Sequence, residues 1–244
     1  MHGYLYFLYG FHKVTGTGAF GNNGVEFIRD PVQTGANALK AALWQHHVKQ
    51  FHEASCSVAT VVSSVNAIKS VADGSVAPIS QMDILEKVRT GHWNERMRPR
   101  GHNGKRGLPL VLLGAIIQSS LDAYDIKYKT IDTIQASKKA GRPGKIKSVL
   151  WQRLHDFEVK GDCLIIAHFD QGGYVQALNI PHISPVGGFN PQNGKVTILD
   201  VDPFQKHPYK IPFDTFYKGL ASNYHYVFKP FGYGSGGYVY IKLD

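Results

Sequence analysis

Hydrophobic and polar positions follow two different periods along this chain. Up to about Phe157, apolar residues recur every three or four positions, the spacing that places them on one face of a helix. This pattern predicts helices over Thr34–Gln50, Leu110–Leu121 and Lys145–Phe157. The second of these segments is apolar on nearly every side, so we expect that helix to be buried.

Two local signals add detail to the N-terminal half. Ser80 is followed by Asp83 three residues later, just before the apolar run that starts at Ile84, and this arrangement forms a capping box at a helix start. The segment Met1–Gly10 is short, apolar and aromatic. It lacks the basic head and the cleavage site of a signal peptide, and we interpret it as a first strand.

After Phe157 the pattern becomes typical of strands. Short β-branched or aromatic runs, each bounded by Gly, Pro or Asn, predict strands over Cys163–Phe169, Lys195–Val201, Tyr224–Pro230 and Gly237–Leu243. Helices followed by an antiparallel sheet make an α+β protein whose active site can lie between the two layers. We therefore predict one domain over residues 1–244, with a helical part at about 20–158 and a β-rich part at about 159–244.

Composition narrows the classes of protein. The two cysteines, Cys56 and Cys163, exclude a cysteine-rich scaffold and an all-cysteine zinc site, and they fit a reducing compartment. We favour the cytoplasm on this basis, while secretion stays open. No apolar run approaches the roughly 20 residues of a membrane span. The net charge of +9 attracts anions, but the basic residues are scattered and form no nucleic-acid-binding motif.

Cys56 is the candidate nucleophile. The small and polar residues before it break the pattern, and a helical period with one apolar face follows it, so Cys56 falls at a helix N-terminus. The free N–H groups and the dipole there favour a thiolate. Gln50 precedes it by six residues and can donate to a developing oxyanion beside the Cys56 N–H. Cys163 lies inside an apolar strand, so we expect it to be inert.

His182 and Asp200 are the candidate base and its orienter. The turn Asn190–Gly194 lies midway between them and ends in Asn-Gly, the residue pair that favours a hairpin. The two side chains should therefore be neighbours across an antiparallel pair. A carboxylate in that position fixes the imidazole tautomer and stabilises the imidazolium that forms when histidine takes the proton of a cysteine.

At these residues the sequence resembles the phytochelatin synthase family of papain-like cysteine enzymes. The likeness lies in His182-Ile-Ser-Pro-Val-Gly-Gly-Phe-Asn190, in Ile198-Leu-Asp200-Val201 and in Gln50–Ala59. The resemblance implies a papain-like fold with a helical half packed on an antiparallel sheet. It also implies a thiol enzyme that cleaves the Cys–Gly amide of glutathione through a γ-glutamylcysteinyl group on Cys56. Transfer to a second glutathione or hydrolysis would complete the reaction.

The sequence departs from the family pattern at several positions. Ser57 stands where a glycine usually follows the nucleophile, Pro203 replaces an arginine after the aspartate, and Gly236 replaces an arginine before the last strand. Arginine suits a bidentate grip on a substrate carboxylate. As replacements for the missing arginines we consider the basic residues of the preceding loop region, Arg98, Arg100 and Arg106.

The resemblance also sets expectations about cofactors and partners. The substrate would be glutathione or a related γ-glutamyl peptide, no cofactor would be required, and heavy-metal ions would enter as glutathione thiolate complexes. The scattered histidines, among them His46, His47, His92, His102 and His207, show no zinc-ligand spacing, so we expect surface positions rather than a metal site. The oligomeric state, including a homodimer, stays open.

Two alternatives stay open at this stage. The same triad could serve a cysteine peptidase or a deconjugating enzyme that acts on other γ-glutamyl or protein substrates, and the replaced arginines favour this slightly. From another class, the chain could be a basic nucleic-acid-binding module with a vestigial triad.

Overall fold

The computed structural model describes residues 2–15, 24–30, 37–74, 77–136, 143–175, 180–224, 228 and 233–244. The helices are α1 His2–Thr15, α2 Ala38–Gln45, α3 Cys56–Asp73, α4 Gln81–Lys87, α5 Trp93–Met97, α6 Leu110–Ala123, α7 Pro143–Lys160 and α8 Phe213–Leu220. The strands are β1 Glu26–Phe27, β2 Tyr128–Gln135, β3 Cys163–Asp170, β4 Pro181–Asn190, β5 Lys195–Ile198, β6 Tyr209–Pro212 and β7 Gly237–Leu243. Short 3-10 turns occupy Thr90–His92 and Gln171–Gly173.

All of these strands belong to one antiparallel sheet in the order β1-β6-β5-β4-β3-β7-β2. With the helices around it, this sheet makes an α+β fold, as the sequence pattern predicts. The N-terminal half is mainly helical, as predicted, but it also contributes β1 and β2, which form the two edges of the sheet, so the sheet is not confined to the C-terminal half. β2 pairs with β7 along its whole length.

The centre of the sheet is buried on both faces. Every residue of β3 is buried, and so are all residues of β4 except its two ends. Strands of this kind read as continuous apolar runs rather than as an alternating pattern. The helices α3 and α7 pack on β4, α7 and α8 pack on β3, and α6 packs on β2 and β7. The helix that begins at Cys56 therefore lies directly against the strand that carries His182.

Most of the predicted elements are confirmed. The Ser80 side chain accepts from the Asp83 N–H at 3.2 Å and the Asp83 carboxylate accepts from the Ser80 N–H at 2.9 Å, which closes the predicted capping box at the start of α4. The predicted helices at 110–121 and 145–157 correspond to α6 and α7, and the predicted last strand corresponds to β7. Helix α2 covers the middle of the helix predicted over 34–50: it ends at Gln45, five residues earlier than predicted, and residues 34–36 lie outside the described part.

Two predicted strands are corrected. The segment Met1–Gly10 falls mostly in α1, so its interpretation as a strand is wrong: a short apolar run does not distinguish a strand from a helix. Strand β5 ends at Ile198, three residues earlier than predicted. The strand predicted over 224–230 falls mostly outside the described residues, and Tyr224 itself is not in a strand. Among the helices of the described residues, none is long and apolar enough to cross a membrane.

Candidate active site

Cys56 is the first residue of α3, as the sequence predicts. The residue before it, Ser55, does not cap the helix: its hydroxyl donates to the His52 carbonyl at 2.8 Å and accepts from the His52 N–H at 3.0 Å. Within the described part of the chain, the Cys56 N–H has no hydrogen-bond partner. The start of α3 therefore keeps an N–H group and a positive dipole end beside the thiol.

The first turns of α3 are fixed to their neighbours by side-chain hydrogen bonds. Thr60, one turn after Cys56, donates to the carbonyl of Ile183 in β4 at 3.1 Å. The buried indole of Trp93 donates to the Ser57 hydroxyl at 3.1 Å. Ser57, which stands where the family pattern has glycine, thus joins α3 to α5. Helix α3 is rich in β-branched residues and is buried from Cys56 to Ile68, so packing rather than helix propensity holds it.

The hairpin of β4 and β5 brings His182 and Asp200 together. His182 Nε2 lies 2.8 Å from Asp200 Oδ1, and both side chains are buried. The register between the two strands shifts between Val186 and Gly188. After β5 the chain passes beside Ser184, whose Oγ accepts from the Val201 N–H at 3.3 Å. Asp200 is therefore not directly opposite His182 across the strand pair, but contacts it diagonally. The neighbourhood predicted from the turn is confirmed.

The second ring nitrogen of His182 faces the thiol. Cys56 lies close enough to His182 to help raise the pKa of the imidazole, and because Nε2 is engaged by Asp200, Nδ1 is the ring nitrogen left to serve the thiol. Burial alone would lower the pKa of His182, but the Asp200 carboxylate and the Cys56 side chain outweigh it and raise the pKa well above its usual value. The imidazole is therefore a strong proton acceptor at the side of Cys56.

Four donors converge on the Asp200 carboxylate. Oδ1 accepts from His182 Nε2 and from the Asp202 N–H at 2.9 Å, while Oδ2 accepts from the Tyr209 hydroxyl at 2.8 Å and from Gln171 Nε2 at 3.2 Å. Burial would raise the pKa of Asp200, but the charge of His182 and these hydrogen bonds hold it well below its usual value. The carboxylate is thus ionised although it is fully buried.

Gln50 is tied to the residues that follow Asp200. Its N–H donates to the Val201 carbonyl at 2.8 Å, and the preceding Lys49 donates through Nζ to the carbonyls of Asp200 and Gln205 at 2.6 and 2.7 Å. The side-chain Oε1 of Gln50 is buried and has no hydrogen-bond partner within the described ranges. These bonds fix Gln50 beside His182 and Asp200. The sequence contained no signal for the contribution of Lys49.

The three candidate arginines occupy different environments. Arg98 and Arg100 are exposed. Arg106 is half-buried, and its Nη1 binds Glu53 Oε1 at 2.7 Å, three residues before Cys56. Its Nε is buried and finds no hydrogen-bond partner in the described part of the structure. Of the three, Arg106 is the one that lies beside the nucleophile.

The phenol of Tyr233 lies within electrostatic range of both Arg106 and the Cys56 thiol. Burial raises the pKa of Tyr233 above its usual value; the charge of Cys56 raises it further, while Arg106 lowers it, so both groups lie within electrostatic range of the phenol. The Leu108 N–H also hydrogen-bonds this phenol. The sequence offers no motif that would have pointed to Tyr233.

Two histidines lie close to the site. His47, expected at the surface, is half-buried: its Nε2 is enclosed and has no hydrogen-bond partner among the described residues, and burial lowers its pKa to about 4. His168 is fully buried, with Nε2 against the Leu108 carbonyl at 3.1 Å and Nδ1 against the Tyr224 hydroxyl at 3.0 Å; burial lowers its pKa to about 4 as well.

Neither the histidines nor the second cysteine form a metal site with their neighbours. Across the described residues, no three His, Cys, Asp or Glu side chains are grouped so that they could hold a metal ion. Cys163 is fully buried in β3, and burial raises the pKa of its thiol to about 11. Cys56 is therefore the cysteine that the structure places beside a proton acceptor.

A cysteine at a helix start, an imidazole beside it and a buried carboxylate behind the imidazole are the groups that nucleophilic cysteine catalysis employs. The fold that holds these groups together is α+β. The family described as Phytochelatin synthase matches residues 19–233, most of the chain, and the protein belongs to this family. The family is one of enzymes that transfer γ-glutamylcysteine. No curated protein sequence matches the chain.

Proposed function

We propose that the protein is a cysteine acyltransferase or hydrolase that cleaves the Cys–Gly amide of glutathione or of a related γ-glutamyl peptide. His182 takes the proton of Cys56, and the thiolate attacks the amide carbonyl carbon. When the C–N bond breaks, His182 returns the proton to the leaving glycine amine, and the γ-glutamylcysteinyl group stays on Cys56 as a thioester. The amine of a second glutathione or a water molecule, deprotonated by His182, then attacks the thioester and frees Cys56.

One observation carries the proposal: in a member of this family, the helix that begins at Cys56 packs on the strand of His182, and His182 Nε2 lies 2.8 Å from the buried carboxylate of Asp200. Asp200 orients the ring so that Nε2 points to the carboxylate and Nδ1 to the thiol. The helix that begins at Cys56 and packs on the strand of His182 supports a papain-like arrangement of the two halves.

The oxyanion that forms during attack needs donors close to Cys56. The unpartnered Cys56 N–H at the start of α3 supplies one, and the amide of Gln50, held by the Lys49 and Gln50 backbone contacts, supplies the second. Removal of one such donor lowers the rate of acyl transfer by about 10²–10³-fold. Gln50→Ala should therefore reduce kcat by that order and change KM little.

Arg106 is the residue that we expect to bind a carboxylate of the substrate. Its free Nε and its position near Tyr233 and Cys56 support this, whereas Arg98 and Arg100 are exposed. Heavy-metal ions would arrive as part of the substrate, bound to glutathione thiolates, and would need no protein ligands.

The test is intact-mass analysis after mixing the protein with glutathione, together with an assay for free glycine. The wild type should gain the mass of one γ-glutamylcysteinyl group on Cys56 and release glycine. The matched variants are Cys56→Ala, which should do neither, and Cys163→Ala, which should behave as the wild type. If no adduct and no glycine appear although Cys56 is alkylated rapidly, glutathione is not the substrate.

A second candidate, a peptidase or deconjugase for other γ-glutamyl or protein substrates, is favoured by one specific contact. A Cβ at Gly236 would lie 2.6 Å from the Leu220 carbonyl oxygen and 2.8 Å from that of His168. Both are backbone atoms, which cannot move aside as a flexible side chain would. The arginine of the family pattern therefore does not fit at position 236. A panel of peptides and γ-glutamyl conjugates, compared with glutathione at equal concentration, separates the two: cleavage of the panel without glycine release from glutathione supports this second candidate.

A further inference from the structure

The contacts behind Asp200 suggest a role for two residues that the reaction itself does not require. Gln171 follows β3, and Tyr209 opens β6, on the far side of β4 and β5 in the sheet. Both are buried, and both donate to the same oxygen, Asp200 Oδ2. Among the described residues neither side chain hydrogen-bonds to Cys56 or His182, so both act through the carboxylate.

We propose that Tyr209 and Gln171 are positioning residues that keep Asp200 ionised and oriented, and thereby keep His182 in place as the proton acceptor for Cys56. This inference rests on the proposed triad but is independent of the substrate. The two donors on Oδ2 leave Oδ1 to His182 and to the Asp202 N–H, so the carboxylate cannot rotate without losing a bond on each oxygen.

The charged surroundings explain why these donors are needed. A second buried carboxylate, Asp202, lies behind Asp200, and Gln171 Nε2 bridges the two by donating to Asp202 Oδ2 at 3.1 Å. On the other side Lys49 attracts both carboxylates, His182 carries the positive charge of the triad, and His47 lies against the Asp200 backbone. Without Gln171 and Tyr209, two neighbouring carboxylates would face each other with fewer donors, which favours protonation of one of them.

The charge of Asp200 also affects Cys56, because a buried imidazole without a partner carboxylate is neutral. His168 shows this in the same protein: it is buried without an acidic partner, and burial lowers its pKa to about 4. If Asp200 loses its charge or its orientation, His182 should behave in the same way and become a weaker proton acceptor for Cys56. Tyr209 and Gln171 would thus control the reactivity of a thiol they do not touch.

The experiment measures the rate of alkylation of Cys56 by iodoacetamide as a function of pH, with peptide mass mapping to confirm the modified cysteine. Each variant is compared with the wild type at the same pH values through the neutral range. In Tyr209→Phe the rate at about pH 6 should fall by about tenfold, the effect of one charge-assisted hydrogen bond. In Tyr209→Phe/Gln171→Leu the rate should fall further.

Two controls separate this role from general destabilisation. Tyr238→Phe removes the hydroxyl of another fully buried tyrosine, one that accepts from Arg153 at 3.4 Å, and should keep the wild-type profile. Asp200→Asn should show the same loss as the double variant. Thermal unfolding identifies any variant that fails to fold. If the double variant does not fold, Tyr209→Phe alone is compared with the wild type.

The outcomes are distinct. Wild-type profiles in both folded variants at Tyr209 and Gln171, with a loss in Asp200→Asn, would overturn the positioning role and leave the triad intact. An unchanged profile in Asp200→Asn as well would overturn the triad itself. Loss of alkylation at neutral pH in the variants of Tyr209, with an unchanged Tyr238→Phe, supports the proposal even if glutathione proves not to be the substrate.

Discussion

Replacing Asp200 with asparagine keeps the shape of the side chain and removes the charge that faces His182. The carboxylate accepts from His182 and the Asp202 N–H on one oxygen and from Tyr209 and Gln171 on the other. Asparagine has a single oxygen, which we expect to face His182, so its NH2 group would point towards Tyr209 and Gln171. The tyrosine hydroxyl can rotate and accept, but the Gln171 amide nitrogen cannot.

The size of the effect follows from these bonds. One buried donor left without an acceptor costs about 1–3 kcal/mol. For a protein of this length, Tm falls by about 2–4 °C for each kcal/mol, so we expect Asp200→Asn to unfold about 2–12 °C lower and still to fold. The loss of activity should be much larger, about 10²–10⁴-fold in kcat, because the imidazolium of His182 loses its counter-charge.

The pKa shifts of the buried groups predict how the free energy of unfolding changes with pH. The folded pKa of His182, about 10, lies above its unfolded value of 6.5, so its stabilisation is complete below pH 6.5 and is lost as the pH rises towards 10. His47 and His168 have folded pKa values of about 4, so their stabilisation is complete above pH 6.5 and is lost as the pH falls towards 4. The Asp200 contribution is present above pH 3.8 and is lost as the pH falls through about 2.

These signs predict that the wild-type free energy of unfolding is greatest near pH 6.5 and declines on both sides. In Asp200→Asn the alkaline decline should disappear, because the raised pKa of His182 depends on the carboxylate, while the acidic decline from His47 and His168 stays. Thermal unfolding between about pH 4 and pH 9 measures both limbs, and the slope of either cannot exceed about 1.4 kcal/mol per pH unit for each proton. An alkaline decline of equal size in the variant would refute the reasoning.

Three further predictions follow from single contacts. Lys49→Met should lower Tm and reduce kcat by about tenfold, because the carbonyls of Asp200 and Gln205 lose a shared charged donor; an unchanged kcat in steady-state assays would remove Lys49 from the support of the site. Arg106→Gln should raise KM by about tenfold in steady-state kinetics with little change in kcat, whereas Arg100→Gln, at an exposed position, should change neither; equal effects of the two would argue against a carboxylate grip. Cys163→Ala should leave the alkylation stoichiometry unchanged, and modification of Cys163 in the native wild type would contradict its burial.

Much of the site could be predicted from sequence because its signals are local. The change from polar residues to a helical period at Cys56 locates the helix start, and the Asn-Gly turn halfway between His182 and Asp200 locates their pairing. Both signals act over fewer than twenty residues, within which backbone geometry fixes where side chains meet. The approach of Cys56 to His182, by contrast, comes from the packing of α3 on β4, which neither segment records by itself.

The sequence by itself thus determined the helix that starts at Cys56, the hairpin that joins His182 to Asp200, and the α+β class. Only the tertiary structure decided what surrounds them: Tyr209 reaches Asp200 from β6, Gln171 from the 3-10 turn after β3, and Lys49 from a loop about 150 residues earlier. It also decided that Met1–Gly10 falls mostly in a helix and that β1 and β2 close the sheet. The physical reason is that contacts between distant segments depend on how the sheet is assembled, and no local pattern records that assembly.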